Sequence, residues 1–265
     1  MLNWNFLTAE IEQDALLLDC RSEEQFNQST VKGAYCASFI KKPFGSGPQS
    51  MNKLSGFLKN IQNIQKKRKV IVFDEGEGMY ACRMLWLLNG IDITDAKILA
   101  LKFSEIPEEF LGPGAGVIEC ETITAPLNIK GIVSISHIQK NLTKLQIVDV
   151  RMPEEYDGEL PRMVNPEPGS ICGRIPGSVN WDWRLLYGTN GHIKSRQELV
   201  SQIRKIGIIQ ERPTLLYDFN GARSCSTALV LTRCGYKQIS VYLGSWMEWR
   251  KSDLPKQNVR KWPGH

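Results

Sequence analysis

The chain is poor in the residues that build metal centres. Its only histidines are His137, His192 and His265, and none stands with a cysteine at the spacing of a zinc site, so no metal is expected. The seven cysteines (20, 36, 82, 120, 172, 225 and 234) are odd in number, include no C-x-x-C pair, and in several cases sit inside apolar runs. That usage argues against an exported disulfide framework. No apolar stretch approaches the roughly 20 residues of a membrane span, and Met1-Leu2-Asn3-Trp4-Asn5-Phe6-Leu7 lacks the charged start and apolar run of a signal peptide. A large excess of one charge is missing too: the net charge is +5. Lys66-Lys67-Arg68-Lys69 and the basic residues of the tail read as solvated surface, not as a nucleic-acid footprint. These absences leave a soluble, cytoplasmic protein with reduced thiols, no cofactor, no membrane and no nucleic acid.

What is present is a repeat. Leu16-Leu17-Leu18-Asp19-Cys20-Arg21 returns as Gln146-Ile147-Val148-Asp149-Val150-Arg151, and both Arg21 to Arg151 and Phe26 to Tyr156 are 130 residues apart. Val70-Ile71-Val72-Phe73-Asp74 returns as Thr214-Leu215-Leu216-Tyr217-Asp218 after 144 residues, the extra length fitting a Pro- and Gly-rich excursion around Pro161 to Ser170. Duplication at this separation gives two domains of one design: 1–111 and 131–265, joined by 112–130, which opens on Gly112-Pro113-Gly114-Ala115-Gly116. Continuous apolar strands interleaved with helical patterns such as Leu199-Val200-Ile203-Ile206 predict an α/β fold, each domain a parallel sheet with helices on both faces. Asp19, Asp74, Asp149 and Asp218 should then lie at carboxyl strand ends, where such sheets gather ligands.

A set of motifs falls in one order through the second copy. It runs from Asp149-x-Arg151 through Glu155-Tyr156-Asp157-Gly158, Arg174-Ile175-Pro176-Gly177-Ser178-Val179-Asn180 and Leu199 to Gly207. The loop Asp218-Phe219-Asn220-Gly221-Ala222-Arg223-Ser224 and Gly244-Ser245-Trp246-x-Glu248-Trp249 complete it. In this order they resemble the tandem-domain rhodaneses, the thiosulfate and 3-mercaptopyruvate sulfurtransferases. Phe73-Asp74, Ala81-x-Arg83 and Trp86-Leu87-Leu88 are similar to that family's non-catalytic half. The resemblance implies sulfane-sulfur transfer to a thiol or cyanide, with a small sulfur-containing anion and a thiol acceptor as partners. It places the persulfide-forming cysteine at position 218, where this chain has Asp218. It also implies an anion cradle from Phe219, Asn220, Gly221, Ala222 and Arg223, with Arg151 facing the same pocket. The family's usual histidine before Ile-Pro-Gly is Arg174 here, with Thr30 at the matching place in the first copy.

Sulfur transfer needs a thiolate whose charge is favoured by backbone N–H groups and a helix N-terminus. A carboxylate is a hard oxygen base that forms no persulfide; with an ordinary pKa near ~3.9 and amides around it, Asp218 should stay ionised and repel an anionic donor. Its plain structural role would be to accept loop amides and cap a helix beginning near Ser224. Arg151 has two readings, an anion binder or the partner of a neighbouring carboxylate, while Arg21 and Asp74 read as structural. Cys225, on the first turns of that helix, and Cys234 read as small buried hydrophobes before alternative sulfur carriers. Trp246 and Trp249 read as core and interdomain packing. The expectation is therefore a sulfurtransferase homologue inactive as written. One alternative is a non-catalytic module that binds an anion or a partner; a weaker one is a hydrolase with Asp218 as nucleophile.

Overall fold

The computed structural model describes residues 8–9, 14–76, 78–99, 101–163, 165–189 and 193–263. The amino-terminal stretch discussed above, with His192 and His265, lies outside them. The chain divides into two compact units: 1–42, 47–130 and 189–193 form one, and 43–46, 131–188 and 194–265 the other.

The first unit contains β1 (Thr8–Ala9), β2 (Leu16–Asp19), β3 (Thr30–Val31), β4 (Tyr35–Cys36), β5 (Val70–Phe73), β6 (Ala96–Leu99), β7 (Leu111–Gly112) and β8 (Gly116–Val117). Its helices are α1 (Glu23–Gln28), α2 (Pro48–Gln65) and α3 (Met79–Gly90). Six strands form a parallel sheet in the order β1-β6-β5-β2-β4-β8, and β3 pairs antiparallel with β7. Every residue of β2 and β5 is buried, as expected for strands covered on both faces. The stretch 112–130 is more than a tether. β8 extends the sheet beside β4, Ile118 N–H donates to the Cys36 carbonyl at 2.9 Å, and a Cβ on Gly56 of α2 would lie 1.8 Å from the Glu121 carbonyl oxygen. Its Gly- and Pro-rich composition hid these backbone pairings.

The second unit contains α4 (Ile135–Asn141), β9 (Gln146–Asp149), α5 (Pro153–Tyr156), β10 (Ile171–Arg174), β11 (Ser178–Asn180) and α6 (Arg196–Lys205). It continues with β12 (Thr214–Tyr217), α7 (Ala222–Arg233), β13 (Ile239–Val241), α8 (Ser245–Trp249) and β14 (Gln257–Lys261). Its parallel sheet runs β11-β9-β12-β13, with β10 and β14 as a separate antiparallel pair. Local signals explain several boundaries. Ser195 and Glu198 form a capping box at the start of α6, whose apolar stripe buries Leu199 and Ile203. Helix α7 is buried from Ala222 through Leu231 and serves as an internal helix against β12 and β13. Trp246 and Trp249 are fully buried in the core of this unit with Tyr217, Tyr242 and Ile147.

Both sheets place the strand-order reversal between equivalent neighbours, β2 with β5 and β9 with β12. In the second unit, Tyr217 is registered against Asp149, so the loop after β12 and the Asp-x-Arg turn after β9 emerge side by side. That is the crevice where open parallel sheets hold ligands. No helix among the described residues is long and apolar enough to cross a membrane.

Candidate active-site loop

The loop leaves β12 at Asp218 and enters α7 at Ala222, two residues earlier than the Ser224 start expected from sequence. The turn closes through Gly221, whose φ of +87° is the left-handed region that suits glycine. A Cβ there would also sit 2.8 Å from the Leu243 carbonyl oxygen and 2.9 Å from Leu243 Cα. Gly221 brings no capping side chain, and Asp218 supplies the acceptor instead. Its Oδ1 receives the Gly221 N–H at 2.6 Å and the Ser224 hydroxyl at 2.9 Å; its Oδ2 receives the Arg223 N–H at 3.1 Å and Arg223 Nε at 3.4 Å. The Ser245 hydroxyl lies 3.2 Å from Oδ1 but is closer, at 2.7 Å, to the Tyr242 carbonyl. Asp218 is wholly buried. Phe219 packs, half-buried, against the core of the unit and its carbonyl accepts the Met247 N–H, while Asn220 Oδ1 lies 3.4 Å from the Ala222 amide.

Arg223 turns away from the loop mouth. Its Nη1 and Nη2 donate to Glu155 at 2.7 and 3.1 Å, and both residues are buried. Burial opposes the Arg223 charge, but Glu155 first and Asp218 next raise its pKa above the ordinary value. The role of Glu155 was not read from sequence, because its partner is 68 residues away and only the fold joins them.

Arg151 adopts the carboxylate-paired arrangement. Nε and Nη2 reach Asp149, the shortest contact being 2.6 Å, and Nη2 also donates to the Gly173 carbonyl at 2.8 Å. The residue is fully buried, and among the described residues Nη1 has no hydrogen-bond acceptor. The guanidinium lies 5.1 Å from the Trp246 ring centre and 5.6 Å from that of Tyr217, aromatic faces that partly compensate the missing bond. Burial works against its charge, yet Asp149 lifts the net pKa further above an already high value.

Around the loop and the Asp-x-Arg turn, the buried side chains Asp149, Arg151, Glu155, Asp218 and Arg223 carry three negative and two positive formal charges. An additional anion inside the loop would therefore meet net negative charge. Two half-buried arginines stand over the loop, Arg162 and Arg250, 5.8 and 5.4 Å from the centre of the Phe219 ring; the sequence places Arg250 only among the solvated basic residues of the tail and does not single out Arg162. Burial, with Arg162 adding to it, lowers the Arg250 pKa against the pull of Glu167. The only carboxylate contact of Arg162 among the described residues is Glu167 at 3.9 Å.

The other sequence candidates separate clearly. Cys225 is fully buried in α7, and Cys234 is 3% exposed with its thiol pKa raised by burial. Arg174 stacks at 4.0 Å on Tyr156 and pairs with Asp157. Thr30 donates to Asp19 at 2.8 Å. In the first unit Asp74 behaves as Asp218 does, accepting the backbone N–H groups of Gly76, Gly78, Tyr80 and Ala81 at 2.9 to 3.1 Å. Arg21 repeats Arg151, reaching Asp19 at 2.6 Å and the Ser29 carbonyl at 2.5 Å.

This pair of parallel sheets, each with a strand–loop–helix unit at its switch point, defines a two-domain sulfurtransferase-like architecture. The model of the rhodanese-like domain matches residues 5–106 and again 134–252, and the chain belongs to that family. It is 25% identical over 202 residues to the 3-mercaptopyruvate sulfurtransferase of Escherichia coli (strain K12), covering 74% of this chain and 70% of that protein. It is 24% identical over 253 residues to the thiosulfate sulfurtransferase of Azotobacter vinelandii, covering 89% and 88%. Among solved structures, that of wild-type EanB matches with a TM-score of 0.67 at 17% identity, over 94% of this chain and 64% of that one. The chain is thus a homologue of rhodanese-type sulfurtransferases.

Proposed function

We propose that this chain is a rhodanese-type sulfurtransferase homologue that forms no persulfide at position 218 and acts by binding a small sulfur-containing anion at the loop mouth. One observation carries the reading: the Asp218 carboxylate is itself the anion in the cradle, wholly buried and with both oxygens engaged by the loop amides, Arg223 and Ser224. A carboxylate cannot accept sulfane sulfur and release it to a thiol, because that step needs a soft thiolate. The same engagement disfavours a hydrolase reading, since a nucleophilic oxygen must have an open line to its substrate. The half-buried pair Arg162 and Arg250, over Phe219, is the cationic feature we assign to meet an anionic sulfur compound.

The test is mass spectrometry after incubation with thiosulfate or 3-mercaptopyruvate. The chain as written should gain no mass, and an Asp218→Cys variant should gain one sulfur atom that cyanide removes. A transferable sulfur on the unaltered chain overturns the reading, and a Cys225→Ser control would then show whether that thiol is the carrier.

A further inference from the structure

A concave feature lies along α6 in the same unit, at the opposite end of α7 from the loop. It is a groove of about 720 Å³ lined by Arg196, Val200, Arg204 and Lys205 from α6, with Gln210 and Cys234 among the residues opposite. That volume falls within the range of small-molecule sites. Among the described residues three cations line it and no carboxylate does. Of the acids on the same segments, Glu198 is engaged with the amide and hydroxyl of Ser195 in the helix cap, and Glu211 follows Gln210 outside the lining.

The opposite wall is shaped by backbone. Arg196 Nε and Gln210 Nε2 both point to the Cys234 carbonyl, at 3.3 and 3.4 Å, which orients the guanidinium and the amide. They can meet there because the next residue is Gly235, at φ +96°. A Cβ on it would lie 2.4 Å from Gln210 Nε2 and 3.1 Å from Arg196 Nη2. Arg196, Val200 and Arg204 follow at four-residue spacing on one helix face, so the two arginines stand roughly 12 Å apart along the axis at about 1.5 Å rise per residue. A single small oxyanion cannot span that distance; a chain of phosphates can touch both guanidiniums, with Lys205 beside the second.

We infer that this groove binds a small molecule carrying an oligophosphate, recognised through its phosphate oxygens by Arg196, Arg204 and Lys205. The site is independent of the loop at Asp218 and of the function proposed for it.

Isothermal titration calorimetry on the full chain tests this with tripolyphosphate, ATP, inorganic phosphate and adenosine, at low and physiological salt. Tripolyphosphate and ATP should bind, phosphate far more weakly and adenosine not at all, with affinity falling as salt rises. ATP binding alone, without tripolyphosphate, would overturn the assignment by placing recognition on the base; tripolyphosphate bound more tightly than ATP keeps it and identifies an inorganic chain as the ligand. The double variant Arg204→Ala/Lys205→Ala alters exposed positions and should retain the melting temperature while losing at least about tenfold in affinity. Val200→Glu, which sets a carboxylate in the groove floor, should do the same. Unchanged binding in both variants, or no binding of either polyphosphate at low salt, rejects the proposal.

Discussion

Arg223 and Glu155, from the β12–α7 unit and the short helix α5, form a bidentate ion pair at 2.7 and 3.1 Å with both side chains buried. The pair ties the loop to the Asp-x-Arg turn beside it, and it consumes the charge that a loop arginine would otherwise offer to a ligand.

Removing Glu155 should leave both Nη groups of the buried Arg223 without their acceptors, with the 3.4 Å contact from Nε to Asp218 remaining. Glu155→Ala is expected to destabilise the second unit by about 3–5 kcal/mol, read from chemical denaturation. A loss below about 1 kcal/mol, the range of an exposed pair, would mean that water reaches Arg223 freely.

Asp218 gives a second stability prediction. Asp218→Asn replaces one acceptor oxygen with an N–H₂ group that faces donors, so a loss of about 1–3 kcal/mol is expected from the unsatisfied groups. Hydrogen exchange should localise the loss to the start of α7. An Asn variant as stable as the parent would show that the carboxylate's second oxygen is dispensable.

These two interactions also mark how far the sequence could be read. The Asp-x-Arg turns, the 130-residue repeat and the parallel sheets were legible because they rest on local pattern: an apolar strand, a turn acid and an arginine two residues on. Asp218 as an acceptor for loop amides was legible for the same reason. The Glu155 partnership was not, because nothing in a linear pattern ties it to residue 223. Nor was the proximity of Arg162 and Arg250 over Phe219, because they lie 88 residues apart in the chain. Asp218 was expected to cap this helix, but from a start near Ser224; the helix begins at Ala222 because Gly221, in the left-handed region, closes the loop and takes the cap position while Asp218 reaches it from three residues before.

Gly221 should tolerate no side chain. Gly221→Ala combines a left-handed φ with a contact to the Leu243 backbone, which cannot swing aside as a flexible side chain could. A fall in stability of about 1–3 kcal/mol is expected. Gly177→Ala is the comparison: its φ is +75° but nothing lies within 4 Å of the added Cβ, so its cost should be smaller. Equal costs would remove the Leu243 contact from the explanation.

Alkaline pH should weaken the second unit through Tyr242 and Tyr217. Burial, with Glu248 beside the first and Asp149 beside the second, raises both phenol pKa values in the folded chain. The unfolded chain then releases these protons first, so stability is intact below about pH 10 and declines above it, by up to about 1.4 kcal/mol per pH unit for each group. Tyr242→Phe should make the decline shallower. The same slope in the variant would exclude that phenol as a contributor.

Thiosulfate should raise the melting temperature of the chain by an amount that shrinks with salt and disappears in Arg162→Ala/Arg250→Ala. Stabilisation that survives the double variant would place the anion elsewhere.

Each Asp-x-Arg brace closes on a main-chain oxygen, Ser29 in one unit and Gly173 in the other. A peptide carbonyl is supplied by any amino acid, so the bond itself asks nothing of the side chain; at Gly173 a separate constraint, a φ of +131° and a Cβ that would lie 2.6 Å from the Gln257 carbonyl oxygen, keeps the residue a glycine. Two halves descended from one ancestor could in this way drift far apart in spelling while keeping the same buckle, and a search for further halves of this kind should look for the short acid–arginine turn before it looks for the partner strand.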